Sequence, residues 1–325
     1  MDSVVCTLFE NNYHYGVAAL TNSLYHRGFR GPVYAGYRGT LPSWCSNAKK
    51  NTQFQWPDST TLEVAEGLQI HFLPLDTDYH LTNYKPDFML RLLSGPASDA
   101  KAIYYLDPDI VVTAPWVIFK NWTECGVALC EDINSPLPKY HLRRVGWRNY
   151  FEKNNIVLNF KEAIYANGGF VGISAKHFDF LNSWRSLQEA MAPEIGGLSR
   201  SILNGHQIST ELKGQFNRLA PFGKTDQDAL NATVEAWDGP VSYFGKEGMA
   251  FSPGLSIAPH AVGRAKPWKI KYLRRALLGY PPRVVDKAYW RSVSNPIKVY
   301  SDRQVYLKKK VLGLASLIGR FYARS

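Results

Sequence analysis

The sequence predicts an α/β fold with a largely parallel sheet, and three observations carry that expectation. Short apolar runs alternate along the chain with segments of helical period. One run, Ala102-Ile-Tyr-Tyr-Leu106, is apolar throughout, as a strand covered on both faces must be. That run stops at Asp107-Pro108-Asp109, polar residues at the carboxyl end of a strand, where open α/β sheets present ligand-binding groups. With 325 residues, 45% of them hydrophobic, the chain is long enough to bury a substantial core.

The elements follow in order. Val4 to Phe9 reads as a first strand, and Gly16 to Arg27 as a helix with Val17, Leu20 and Leu24 on one face and Gly28 as its stop. Gly31 to Gly36 is a short second strand between turn residues, and Leu68 to Leu75 another. Phe88 to Leu93 reads as a helix leading into the aspartate strand. Gly126 to Cys130 and Phe170 to Ile173 read as strands, and His177 to Met191 as a helix carrying Phe178, Leu181, Trp184 and Met191. Thr225 or Asp226 can cap a further helix, with acids well placed in its first turn. After Lys271 the chain turns basic and aromatic, punctuated by Pro281, Pro282 and Pro296. The expected division is a catalytic domain over 1–271 and a basic, partly helical extension over 272–325.

Charge is unevenly placed. Of 38 Lys and Arg, sixteen fall from Arg264 onward against only Asp286 and Asp302, so that stretch carries +14 and the rest −3 of the net +11. A near-neutral body with a basic tail is not a generally basic nucleic-acid binder; the tail suits an anionic surface or partner. Leu307, Val311, Leu314, Ile318 and Phe321 fall at helical spacing beside Lys308, Lys309, Lys310, Arg320 and Arg324. Such a helix either docks on an anionic membrane or packs on the body. The N-terminus lacks a basic, apolar leader, and no window approaches the ~18 apolar residues of a membrane span. Four cysteines show no metal or redox spacing, which fits a reducing compartment. The expected location is cytoplasmic or peripheral on the inner face of the plasma membrane, leaving the Asn121-Trp122-Thr123 sequon idle.

Chemistry is concentrated in a few polar segments. If the extended geometry persists through Pro108, Asp107 and Asp109 point the same way, and paired carboxylates call for a hard divalent cation. Taken alone, the pair also fits a solvated turn. His260 can complete a metal site made by two aspartates. Lys266 supplies a point charge for phosphate, and Gly263 keeps the loop between them low. Asn167-Gly168-Gly169 runs into a strand, its glycines permitting close approach of a ligand. Asp226-Gln227-Asp228, followed by Asn231, holds more polar groups than capping requires. Asn12 and Tyr13 follow the first strand, where a base could stack and hydrogen-bond, and Lys85 opens the helix before the aspartate strand within reach of a phosphate or sugar. Solvated loops explain either equally well.

In order and spacing these segments resemble glycosyltransferase family 8, retaining nucleotide-sugar transferases of the GT-A fold, over roughly residues 4 to 268. His260-x-x-Gly263-x-x-Lys266-Pro267-Trp268 is the most specific piece. The resemblance implies a single-sheet, Rossmann-like domain with the basic helical appendage. It implies Mn²⁺ or Mg²⁺ on Asp107, Asp109 and His260 against the diphosphate of a nucleotide sugar, a UDP-sugar being expected. It places Gly263 and Lys266 on the phosphates, Asn12 and Tyr13 at the nucleotide, and Lys85, Asn167 and Gly168 around the donor. Asp226 and Gln227 would contact the sugar, with Gln227 or Asp228 nearest its anomeric carbon. Three departures stand out: the first loop is Glu10-Asn11-Asn12, where family members often have an acidic one; residues 126–165, with Arg143, Arg144, Trp147 and Arg148, match nothing in the family; and the tail beyond Trp268 is unmatched in detail.

The expected reaction moves a hexose to a glycan or lipid-linked acceptor, a lipopolysaccharide type among them, with retention. Front-face attack is the main mechanism and Asp228 as nucleophile its rival. Two other classes compete: a sugar-nucleotide or glycan-binding protein with weak turnover, and a nucleic-acid binder using Tyr289, Trp290 and Tyr300 among the basic residues of the tail.

Overall fold

The structure, a computed structural model, describes residues 1–201 and 221–322. Strand β1 (Val4–Glu10) is followed by α1 (His14–His26), β2 (Gly31–Arg38), β3 (Lys49–Lys50), β4 (Thr60–Ala65) and β5 (Leu68–Pro74). Next come α2 (Lys85–Leu93), β6 (Ala102–Leu106), α3 (Trp116–Thr123), β7 (Val127–Glu131), α4 (Leu142–Lys153), β8 (Ala166–Ser174) and α5 (Asp179–Ile195). The described chain ends with α6 (Thr225–Ala236), β9 (Val241–Phe244), α7 (Tyr272–Leu277), α8 (Val284–Arg291) and α9 (Asp302–Ile318). The class is α/β, with nine strands in the central sheet. Two compact units divide the chain: Met1–Leu8, Leu75–Tyr105 and Phe119–Lys246 form the first, and the remaining segments the second.

In the first unit β1 pairs parallel with β6, Val5 opposite Tyr104, and every residue of β6 is buried as its apolar run requires. β7 pairs antiparallel with β8 and parallel with β9, so pairing is more mixed than the expected largely parallel arrangement. All nine residues of β8 are buried. Its Phe170 stacks on Trp122 of α3 at 5.2 Å. A Cβ on Gly172 would lie 3.0 Å from both Tyr104 and Thr123, so this strand meets its neighbours only because that residue is glycine.

In the second unit β2 pairs parallel with β5, and β4 pairs antiparallel with both β5 and β3. Helix α1 is buried from Gly16 to Leu24. Residues from the C-terminal segment, including Tyr272, Trp290, Val305 and Leu312, share one apolar cluster with Ala19 of α1 and Val111. Asn22 on α1 fastens that segment: its amide donates to the carbonyls of Ser292 and Ile297, and its oxygen accepts from Ile297 N–H. Of the stripe expected on the last helix, Val311 and Ile318 pack against the cluster, whereas Leu307, Leu314 and Phe321 are exposed. Arg324 lies outside the described residues. No helix among the described residues is long and apolar enough to cross a membrane.

Three local expectations change. Strand β6 stops at Leu106, and Asp107 to Ile110 form a turn in which Ile110 N–H donates to the Asp107 carbonyl at 3.0 Å. The two aspartates are therefore brought together by a turn at Pro108, not by strand alternation. Asn167 to Gly169 lie inside β8, whose ladder starts earlier than the apolar run suggests. Lys224 occupies the N-cap position of α6, while the hydroxyl of Thr225 donates to Asn83 Oδ1 instead of capping.

Candidate active site

In the second unit, backbone pairing builds the first cluster. Pro259 to Ala261 lies against Asp109 to Val111: Val111 N–H donates to the Pro259 carbonyl and Ala261 N–H to the Asp109 carbonyl, each at 3.1 Å. This antiparallel bridge carries His260 to the aspartate turn across about 150 residues of chain. Its Nε2 lies 3.2 Å from Asp109 Oδ1 and 3.6 Å from Asp107 Oδ2. One donor atom from each of the three residues falls within 4.8 Å of the others. Two carboxylate oxygens and an imidazole nitrogen suit a Mn²⁺- or Mg²⁺-type cation, so the residues present fit the metal the sequence implies. Lys266 donates to the other oxygen of Asp109 and, at 2.8 Å, to the Ala261 carbonyl.

Burial opposes ionisation of Asp109, but the neighbouring His260 imidazole and Lys266 ammonium overcome it and hold the carboxyl below its ordinary range. Burial likewise works against the Lys266 charge, and Asp109 more than restores it. Tyr13 presents its ring to this cation at 5.5 Å and meets Trp268 edge-on at 5.7 Å. The turn sits tightly on α1, since a Cβ on Gly16 would be driven into the Pro108 carbonyl oxygen. Gly263 has φ +81°, a left-handed turn that glycine adopts without strain. Asn12 lies in the short helical turn Asn11–Tyr13, entered through Asn11 at φ +52°, sparsely populated for a side-chain-bearing residue.

A second cluster lies in the first unit. Lys85, its side chain 1% exposed, donates to the Gly168 carbonyl at 2.7 Å and to Asp226 Oδ2 at 2.9 Å. The same ammonium sits 5.1 Å from the Tyr105 ring. Gly168 N–H donates to Gln227 Oε1 at 3.2 Å, and a Cβ on Gly168 would stand 3.1 Å from the Asp226 carboxylate. The Gln227 Nε2 is buried and has no hydrogen-bond partner among the described residues. A buried amide left one partner short is what a site for a hydroxyl- or phosphate-bearing ligand provides.

Asp228 is fully buried beneath this surface. Tyr165 OH and Lys224 N–H donate to its two oxygens, each at 2.6 Å, and the Arg143 guanidinium stands 3.6 Å away. Burial pushes its carboxyl up to about 7, with Arg143 and the Tyr165 bond opposing the rise. Asn231, one turn along α6, locks the helix to β8 by accepting from Ala166 N–H and donating to the Ala166 carbonyl.

Thus Asp107, Asp109, His260 and Lys266 are gathered in one unit, and Lys85, Asn167, Gly168, Asp226 and Gln227 in the other. The sequence reading passes over Asp132, which holds Asn167 through its Nδ2 at 2.6 Å and pairs with Lys224 at 3.3 Å. Asp132 directly follows β7, a strand-end position like that of Asp107, and this signal could have found it. Arg144 and Arg148, outside the resemblance, converge on buried Glu235 and fasten α4 to α6.

No protein-family model matches the sequence, and no curated protein matches it. Among solved structures, the bifunctional glycosyltransferase WbbM in its apo form superposes with TM-score 0.54 at 13% identity, over 94% of this chain and 51% of that one. The chain has a glycosyltransferase fold. The arrangement is the GT-A type expected from the sequence. GlyE of Streptococcus pneumoniae gives TM-score 0.49 at 14% identity over 96% of this chain and 64% of that chain. An active-site variant of LgtC gives 0.48 at 12%, over 96% and 95%. The chain therefore spans about half the length of WbbM and under two thirds of that of GlyE.

Proposed function

We propose that the chain is a retaining glycosyltransferase of the family 8 type, moving a hexose from a UDP-sugar to a glycan or lipid-linked acceptor, with Mn²⁺ or Mg²⁺ held by Asp107, Asp109 and His260. The observation that carries this reading is the convergence of those three donors and Lys266, from segments distant in sequence, on a glycosyltransferase fold. The cation, when bound, supplies positive charge to the diphosphate as that group departs. Lys266 adds a second charge at the same place, already held ionised by Asp109. Tyr13 and Asn12 stand at the end of β1 and are assigned the nucleotide, and Gly263 leaves its loop free of a side chain beside the phosphates.

Asn167, Gly168, Asp226 and Gln227 are assigned the donor sugar. Lys85 acts through them: by holding both the Gly168 carbonyl and Asp226 it fixes strand and helix in one register. Gln227 Nε2 is the donor left over for a sugar or acceptor oxygen. In the reaction the donor C1–O bond breaks, the acceptor oxygen bonds C1 from the same face, and the acceptor proton passes to the departing phosphate oxygen. Full burial of Asp228 and the engagement of both its oxygens favour this front-face course over a covalent aspartyl adduct.

The test is thermal melting against a panel of nucleotide sugars with Mn²⁺ and then with chelator, followed by measurement of nucleotide release. We expect one nucleoside class to raise Tm only with metal, and Asp109→Asn to abolish that shift and reduce release by about a hundredfold or more. A chain indifferent to every nucleotide sugar in both conditions refutes the assignment. A glycosyl adduct trapped on wild type and absent from Asp228→Asn overturns the front-face course alone.

A further inference from the structure

The turn after β7 gathers cationic side chains to which the reaction above gives no role. From Ile133 to Arg148 the chain carries Lys139, Arg143, Arg144 and Arg148 and no acid, in the stretch that departs from the family. Arg144 and Arg148 are engaged by Glu235. Arg143 turns instead to Tyr165, its guanidinium 5.9 Å from the ring and 3.6 Å from Asp228. Lys224, at the N-cap of α6, stands over the same ring at 5.7 Å. Lys246, just past β9, donates to the carbonyl of Ser135, whose hydroxyl accepts from Tyr165 N–H at 3.0 Å. Cations from three distant segments of the first unit thus meet around Tyr165 and residues 132–135, although like charges repel.

The acids beside them balance this charge only in part. Burial opposes ionisation of Asp132, but Lys224 and the bonds from Asn134 and Asn167 overcome it and hold the carboxyl below its ordinary range. That one charge is shared. Asp132 Oδ1 lies 3.3 Å from Lys224 Nζ and accepts from Asn134 N–H at 2.9 Å, while Oδ2 accepts from Asn167 Nδ2 at 2.6 Å. Lys246 rests on a neutral carbonyl, and no acid pairs with it among the described residues. Asp228, beside Arg143, is pushed up to about 7 by burial and carries only part of a charge near neutral pH.

Their place in the site gives these cations a use. Asp132 holds Asn167, and Lys224 begins the turn that bears Asp226 and Gln227, all three assigned to the donor sugar. The donor's diphosphate is assigned to Lys266 and the metal, so its charge already has partners. An acceptor hydroxyl that attacks C1 must lie beside the donor sugar. The Lys224 side chain is 33% exposed, which leaves its ammonium open to a second ligand.

We propose that Lys224 and Lys246, with Arg143 adding to the positive potential, recognise a phosphate or carboxylate group carried by the acceptor, so that the acceptor is an anionic saccharide. Compact ammonium charges suit either group, and a partly desolvated setting strengthens the contact. The proposal rests on the transferase reading above and names the acceptor class for that site.

The test uses the full chain with matched acceptors built on glucose and on galactose: the neutral methyl glycoside, the 6-phosphate and the uronic acid. Binding is measured by calorimetry without donor, and kcat/KM by nucleotide release with the donor found by melting. We expect a phosphate or a carboxylate to improve binding and kcat/KM about tenfold or more over the neutral counterpart, with the advantage shrinking as salt rises. The two anionic arms tell which group is read. Lys246→Gln should remove most of that advantage at an unchanged Tm, and Lys246→Arg should keep it. Lys224→Gln should remove it as well, but it also strips buried Asp132 of its cation, so Lys246→Gln decides. Neutral acceptors that bind as well as anionic ones, or a Lys246→Gln protein that keeps the full advantage, overturn the proposal. Nucleotide release without preference for an anionic acceptor overturns it alone. A chain that turns over no donor refutes the transferase reading, while the calorimetric comparison still judges the anion site.

Discussion

Single residues set the chemistry through their neighbours. Asp109 and Asp228 are both buried aspartates, yet their carboxyls move in opposite directions. Asp109 lies against Lys266 and His260, whereas Asp228 has a phenol, a backbone amide and a guanidinium beyond bonding distance. The consequence for stability has a definite sign. Asp228 binds its proton more tightly folded, with its value raised to about 7, than unfolded. Its contribution is therefore greatest below the unfolded carboxyl range and is lost as pH rises toward 7. The Tm of wild type relative to that of Asp228→Asn should fall from about pH 5 to about pH 7 and stay level above. Melting curves of both proteins across that range check it; a wild-type Tm that rises relative to the variant's as pH increases contradicts the burial argument.

At the scale of elements, glycines decide how closely the pieces approach. Gly16 lets α1 sit against the Pro108 carbonyl, and so fixes the turn that bears Asp107 and Asp109. Gly16→Ala forces either helix or turn to shift, an overpacking change of about 1–3 kcal/mol. We expect Tm to fall by several degrees and the metal-dependent stabilisation by nucleotide to weaken with it; unchanged melting and an unchanged metal response would show that the turn is not held by α1. The periodic elements were legible in sequence: α1, α5 and strands β1, β2, β5 and β6 appear close to where apolar spacing puts them. Helices α3 and α4 and strands β4 and β9 were not. In α4, Arg144, Trp147 and Phe151 are the buried residues, so its inward face includes an arginine whose partner, Glu235, lies on another helix. No local pattern reveals that pairing.

At the scale of the whole molecule, the C-terminal segment is bound into the second unit rather than trailing from it. Tyr272, Tyr289, Trp290, Val305 and Leu312 bury large surfaces beside Ala19, and Asn22 spends its whole amide on residues 292–297. A chain ending at Lys271 would expose that cluster, a loss of several kcal/mol for each large side chain removed. We expect it to lose cooperative melting. A truncated chain that melts like the full one would instead support an independent extension after residue 271.

The sequence alone determined the α/β alternation, the residue types of both clusters and the charge asymmetry, because each is carried by local order: an apolar run, a spaced pair of acids, a count of lysines. It could not determine which atoms meet. The turn at Pro108, the bridge that carries His260 to Asp109, the removal of Asp228 from solvent and the meeting of Lys224 and Lys246 on one turn all depend on segments far apart in the chain. Backbone pairing and burial act between such segments, and only the folded structure brings them together.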